Sequence, residues 1–238
     1  MHRQVRFEHN LYYGFSVVKI FLYTIVLGVI VAIGLYFVAP SMMRRYPEQA
    51  IAIQHGKQIA MALEEFRTEY GSYPDQDTAI IVKQKSQSLL ELNGNYSNGY
   101  FRQLILSGII EDSEIFHAYS KHVDAKRPAK ISEISNLESG EVDFGYIMNG
   151  DIGLDKAYPR QVVLVTPLLN SSINGEFDIA AMGGMAVLIY LDGSAMVTGI
   201  FKDHKVRITC DAQTLLETGK GTIWGTKVKP VIKPPKPN

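Results

Sequence analysis

The side chains able to carry chemistry are few and scattered. There are six histidines, His2, His9, His55, His117, His122 and His204. None sits in an HExxH arrangement or pairs with cysteine at the spacing a tetrahedral zinc site needs. His117 and His122 lie five positions apart, which suits neither one face of a helix nor one face of a strand. Cys210 is the single cysteine, so an internal disulfide is excluded. In a β-rich stretch it reads as a small apolar residue rather than a reactive thiol. No phosphate-binding loop, dinucleotide fingerprint, nucleophile elbow or kinase signature occurs. Gly183-Gly184 precedes an apolar run and reads as a flexible entry or bulge. These patterns predict no catalytic residues, no metal ligands and no cofactor. With 24 basic and 24 acidic side chains the formal charge is zero, which gives no electrostatic basis for a nucleic-acid partner.

The elements around those residues are more informative. Ile20 to Ala39 reads IFLYTIVLGVIVAIGLYFVA and carries no charge. As a helix, twenty residues span about 30 Å, the thickness of a bilayer core. Tyr12, Tyr13, Phe15, Tyr23, Tyr36 and Phe37 flank it as interfacial aromatics do. The run is too long for the apolar region of a cleaved secretory signal, and no small-x-small cleavage site follows it. Arg3, Arg6 and Lys19 precede it, and Arg44, Arg45 and Lys57 follow, so the charge bias is close to a tie. A short basic segment before a first span stays in the cytoplasm, which places the large domain outside. Gly28 and Ala32 form a small-xxx-small pair of the kind that permits close helix contact.

Beyond Pro40 and Pro47, residues Ile59, Leu63, Phe66 and Tyr70 recur at steps of four, three and four. That is one face of an α-helix, with Pro47 and Glu48 in its first turn and Gly71 as its cap. Helix-forming residues over Thr78 to Leu92 follow Asp75 and Asp77, either of which can cap. Asn98 is the expected cap of a helix ending at Gly108. Lys121 to Lys130 is basic, holds Pro128 and reads as a solvated loop. Strands are expected over Val142 to Met148, before the Asn149-Gly150 turn, and over Gln161 to Leu169. Ala186 to Leu191, Asp192-Gly193, then Ser194 to Phe201 form the clearest hairpin, since Asp-Gly supplies a positive-φ turn. Val206 to Cys210 adds a further strand, and Asp211 to Leu216 reads as a short capped helix ending at Gly219. The last residues, KVKPVIKPPKPN, read as extended or disordered.

The start of the chain carries a more specific pattern. GFSVVKIFLYTIVLGVIVAI, from Gly14, resembles the processing site of bacterial type IV prepilins and type II secretion pseudopilins. There a short basic leader ends in Gly, and a dedicated peptidase cuts after it and methylates the new N-terminus. Gly14 matches that Gly, Phe15 the first mature residue, and MHRQVRFEHNLYYG the leader. QIAMALEEFRTEYGSYPD is similar to the family's stem helix and its exit. NGYFRQLILSGIIEDSEIF, GEVDFGYIMNG and the late Asp-Gly hairpin follow in the order of the larger pseudopilin-like proteins, so the resemblance covers most of residues 14–200. Two departures stand out. The family's acidic residue, five positions into the mature chain, is here Lys19, and Pro40 falls later than the family's helix proline. The family's Glu neutralises a neighbour's free amine inside the filament, whereas a lysine adds charge that is costly in hydrocarbon unless paired. Without processing, Gly14-Phe15-Ser16 is interfacial sequence and Lys19 snorkels to the headgroups.

The resemblance implies an α+β, pilin-like fold. A leader over 1–14 precedes a transmembrane helix over 15–40. A globular domain follows over 41–218, its stem helix (48–70) packed on a C-terminal antiparallel β-sheet, and a Pro- and Lys-rich tail covers 219–238. It further implies a non-enzymatic structural subunit of a type II secretion or type IV pilus-like system. Such a subunit resides in the bacterial inner membrane with its N-terminus cytoplasmic and its head periplasmic. Its expected partners are the membrane and other pilin-like subunits, met through the N-terminal helix. Some pseudopilins bind calcium in a C-terminal loop; Asp143, Asp151, Asp155, Asp178 and Asp192 lack any EF-hand-like spacing and read as turn and surface carboxylates. The alternative is a signal-anchored extracytoplasmic binding module that joins no filament.

Overall fold

The computed structural model describes residues 45–118, 137–154, 160–169, 172–208 and 213–237. Among them no helix is long and apolar enough to cross a membrane. The expected leader, the span over 15–40 and the basic loop at 121–130 lie outside the described residues. One compact unit covers Pro47–Asn238.

Helix α1 runs Arg45–Tyr70, with Glu48 in its first turn and Arg67 in its last. Pro47 is tolerated there because the first N–H groups of a helix have no partner within it. The expected face is the buried one: Ile59, Leu63 and Phe66 are fully buried, and Tyr70 stacks on Phe66 at 4.4 Å. Gly71 closes the helix at φ +85°, its N–H donating to the Arg67 carbonyl at 2.8 Å. Asp75 then opens α2, Gln76–Ser86, through a reciprocal capping box with Thr78. This helix is shorter than the expected Thr78–Leu92. At its end the Ser86 hydroxyl donates to the Val82 carbonyl, Gln87 turns left-handed, and Ser88 N–H donates to Ser86 Oγ. Short polar side chains compete with the helix ladder there.

Helix α3 covers Ser97–Leu106, and Tyr96, not Asn98, is its cap residue. Asn98 is buried, and its amide donates to the carbonyls of Leu137 and Glu138 at 2.8 and 2.9 Å. It ties the helix start to a distant loop instead of capping its own helix. A 3-10 turn follows at Ser113–Phe116. Phe101 stacks on Phe116 at 5.1 Å and tilts against Tyr146 at 5.8 Å, which seats α3 on the sheet.

Strands β1 (Gly145–Asn149), β2 (Val162–Thr166), β3 (Met185–Tyr190), β4 (Ala195–Gly199) and β5 (Pro230–Lys233) form one antiparallel sheet in the order β4-β3-β2-β1-β5. The architecture is therefore α+β, with helices on an antiparallel sheet. One sheet face carries Phe144, Tyr146 and Ile189 and receives α1. A Cβ on Gly56 would lie 2.6 Å from Ile189 Cγ1 and 3.4 Å from Phe144 Cε1, so the helix backbone rests directly on the strands there. The other face is buried as well: Ile147, Val165 and Leu188 on it are fully buried. Between β3 and β4 the loop is Leu191-Asp192-Gly193-Ser194, with Gly193 at φ +77°, the positive value Asp-Gly promised.

Two expectations at the far end of the chain are corrected. Residues 230–233 do not belong to a separate tail; they pair with β1 from Tyr146↔Lys233 to Asn149↔Pro230. Proline is acceptable as the first residue of this edge strand, where no ladder N–H is demanded of it. The strand is clamped from outside as well: Ser97 N–H donates to the Pro234 carbonyl at 2.9 Å and Lys236 N–H to Asn98 Oδ1 at 2.8 Å. Among the described residues, 213–216 are not helical, and Val206 and Arg207 make isolated bridges, Ile200↔Val206 and Arg207↔Thr214; residues 209–212 lie outside the described residues.

Candidate functional site

The residues expected to be processed or to set assembly, Gly14, Phe15 and Lys19, lie outside the described residues. So do Cys210, His2, His9 and His122. The remaining candidates divide between structural ties and one groove.

His55 and His117 meet through the main chain: His55 Nδ1 donates to the His117 carbonyl at 2.7 Å. His117 Nδ1 stands 3.6 Å from Asp143 Oδ2, both side chains nearly buried, and that oxygen accepts from Ala118 N–H at 2.8 Å. His204 Nδ1 donates to the Phe177 carbonyl at 2.9 Å while Phe177 N–H donates back to His204 at 2.8 Å. These imidazoles fasten loops. The aspartates are spread in the same way. Asp151 Oδ1 takes the Lys233 ammonium at 3.0 Å, Asp178 Oδ1 the Ala180 N–H at 2.8 Å, and Asp192 Oδ1 the Ser194 N–H at 2.8 Å. Asp155 lies outside the described residues. Among the described residues no three His, Cys, Asp or Glu side chains gather to hold a metal.

A buried polar network joins α1's exit, α2 and α3. Gln103 Nε2 donates to the carbonyls of Asp75 and Leu92 at 2.9 and 2.7 Å, and its Oε1 accepts from Thr78 Oγ1 at 2.8 Å. Ser72 Oγ donates to Asp75 Oδ2 at 2.9 Å. Asp75 is an acceptor fully used by its own neighbours, which suits a structural clamp and not a general base. The Lys233 ammonium, in a residue 8% exposed, is similarly held between Asp151 and the Tyr100 ring.

The groove is different because it is open. It has a volume of about 570 Å³ between α1 and the β3–β4 turn, lined by Ala60, Met61, Glu64, Tyr73, Leu191, Asp192 and Gly193. Glu64 and Arg67 are one turn apart on α1, and Arg67 grips both carboxylate oxygens at 2.8 and 3.1 Å. Pro74 forces the preceding residue into extended backbone, and the Tyr73 hydroxyl reaches back to Glu64 Oε2 at 2.9 Å. Burial first, and then the bond to Glu64, push the Tyr73 phenol well above its ordinary value of 10.0. Its hydroxyl therefore stays protonated and remains a donor. Glu64 is thus held by Arg67 and Tyr73, and the groove presents Ala60, the exposed Met61, Leu191 and Asp192 beside that pair. Sequence reading missed it because its residues come from three separated segments. The one local signal was the Glu64/Arg67 pair at i, i+3 on the edge of the apolar stripe.

The buried phenols have a consequence for stability. Burial, with Asp75 next in importance, holds the fully buried Tyr146 well above 10.0, and burial raises Tyr100 too. An unfolded tyrosine titrates near pH 10, so above that pH the folded state keeps protons that the unfolded state releases. Stability is then unchanged below about pH 10 and declines above it. Urea unfolding should give the same midpoint at about pH 8 and pH 9 and a lower one at about pH 11, with a smaller drop in Tyr146→Phe. A flat profile through pH 11 would contradict the burial assignment.

Among known protein families, characterised proteins and solved structures, none matches this chain.

Proposed function

We propose that this chain is a membrane-anchored structural subunit resembling a pseudopilin or minor pilin, not an enzyme. The observation that carries the reading is α1, which starts at Arg45, shortly after the uncharged run ending at Ala39, and lays Ile59, Leu63 and Phe66 into an antiparallel sheet. A stem helix that leads out of an apolar segment and into a β-rich head is the division of labour the resemblance implies. The apolar part packs in the bilayer or among other pilin-like subunits, and the head faces the extracytoplasmic side of a bacterial inner membrane. Leader cleavage after Gly14 and methylation of Phe15 belong to this reading.

A second reading, an anchored binding module outside any filament, is favoured by Lys19. After cleavage the new amine and Lys19 would be four residues apart, about 6 Å along a helix, both positive. Stacked copies would concentrate that charge in an apolar core. A neighbouring subunit's acid can pair with either group, so a processed chain enters mixed filaments in few copies. Lys19→Glu is expected to raise its recovery with sheared filaments when co-expressed with a pilin-like system. Unchanged recovery, or a filament built of wild-type chains alone, would contradict the charge argument.

A further inference from the structure

Helix α1 and strand β3 run alongside each other, so the head has two distinct ends. At one end α1 enters: Gln49 Nε2, near the start of the helix, donates to the Met182 carbonyl at 3.4 Å. Met185 pairs with Gly199, so β3 leaves that end and β4 returns to it. Ile200 N–H then donates to the Gly184 carbonyl at 2.8 Å, which holds the residues after β4 there. Farther along, Ile189 lies under Gly56, and Leu191 lies beside Ala60 and Glu64. The opposite end is about 39 Å away, the length of a 26-residue helix. There the Lys85 ammonium reaches Glu69 at 3.4 Å, and Leu89 follows four positions on.

The entry end presents large apolar side chains to solvent. Phe201 is 52% exposed and Ile173 63%. The loops that carry them are tied together: Lys205 Nζ donates to the Asn174 carbonyl, and Phe177 N–H to the His204 carbonyl at 2.8 Å. Phe201 N–H donates to the Lys205 carbonyl, and His204 N–H to the Phe201 carbonyl, both at 2.9 Å. This turn is closed on itself and leaves Phe201 and Lys202 exposed. Among the described residues Lys202 makes no hydrogen bond or ion pair. The acids nearby are engaged: Asp203 holds Arg207 at 2.6 Å, Glu176 accepts from Ser172 at 3.0 Å and Asp178 from Ala180 at 2.8 Å. An exposed aromatic and an exposed aliphatic side chain beside an unpaired lysine suit the interface of an anionic bilayer. The chain's own path brings such a surface within reach. The uncharged run ends at Ala39, eight positions before the compact head begins at Pro47, a span of at most about 30 Å.

We propose that the entry end of the head docks on the phospholipid surface of the membrane that anchors the chain, with Ile173 and Phe201 in the headgroup layer and Lys202 against anionic headgroups. The inference rests on the anchored reading but not on leader removal. It holds alike for a pilin-like subunit before assembly and for a simple anchored module.

The full-length chain in vesicles of equal parts phosphatidylcholine and phosphatidylglycerol tests it. In a Cys210→Ser background, Gly199→Cys carries a fluorophore two residues, about 7 Å, from Phe201, at an exposed position with open space around the new Cβ. Leu89→Cys, at a residue 96% exposed, is the control from the opposite end. Lipids with a quencher on the headgroup should dim the label at 199 and leave the label at 89 bright. Lys202→Glu should cut the ratio of docked to free heads about tenfold in these vesicles and leave it unchanged in phosphatidylcholine alone. Ile173→Ser, a change on the surface, should lower the ratio in both lipids. If the chain stays with the vesicles through an alkaline wash but 199 is quenched no more than 89, the proposal fails and the anchor stands. If the wash strips the chain off, anchor and proposal fail together. Shielding of 199 that grows with the protein-to-lipid ratio would assign this face to another copy and overturn the proposal. So would quenching at 199 that is indifferent to both Lys202→Glu and Ile173→Ser.

Discussion

Ending the chain after Lys229 is expected to abolish cooperative folding of the head. That truncation removes β5 and with it the four-residue register against β1. It takes away Ile232, 1% exposed, whose burial alone is worth about 1.5–3 kcal/mol. It also strips Asp151 of the Lys233 ammonium and releases the start of α3 from Pro234 and Lys236. Tyr146, Ile147 and Met148, all fully buried, would then sit on an open edge. A domain of this size has only about 5–15 kcal/mol in total, so these losses together consume most of it. Circular dichroism and urea unfolding check the result. Removing only residues 237–238 should leave the midpoint unchanged, because Lys236 is the last of the described residues with a hydrogen bond into the fold. A truncated chain that melts like wild type would return these residues to the status of a loose tail.

The second large effect belongs to Leu63→Asp. Leu63 is fully buried on the face of α1 that meets the sheet. An unpaired carboxylate there adds the cost of a lost apolar contact to that of a buried charge, about 4 kcal/mol or more. At the usual scaling that lowers the melting temperature by about 10 °C or unfolds the head outright. Lys57 lies on the exposed side of the same helix, and Lys57→Asp should shift melting by no more than about 1–2 °C. Equal melting of Leu63→Asp and wild type would detach α1 from the core.

These two predictions mark what the sequence could and could not disclose. The face of α1 was legible because the 4-3-4 spacing of Ile59, Leu63, Phe66 and Tyr70 is a local consequence of helix geometry. The β3–β4 hairpin was legible for the same kind of reason: Asp192-Gly193 sets its turn within a few residues. The strand β5 was hidden because its evidence is not local. Proline and lysine argue for a solvated segment until Lys233 is seen between Asp151 and Tyr100, partners more than eighty residues away. Asn98 misled in a related way. Its residue type suits a helix cap, yet its amide serves the loop at Leu137 and Glu138. The groove was invisible because Glu64, Tyr73 and Asp192 converge only after α1 and the hairpin have packed. Helix α2 ended early through Ser86 and Gln87, where side-chain bonding to the backbone overrode good helix propensity.

The same distinction applies to function. The prepilin-like junction is a linear signal, carried by Gly14, Phe15 and the uncharged run that follows. The head adds a stem helix on an antiparallel sheet, which suits the pilin reading, and the open groove, which suits a binding role. Both readings need the anchor, but only one needs the leader removed. The decisive measurement is therefore the intact mass of the chain purified from membranes of cells that contain a prepilin peptidase. The pilin-type reading predicts a mature chain beginning at Phe15, with a methylated amine. A chain that retains Met1 through Gly14 would contradict it and leave an ordinary anchored module.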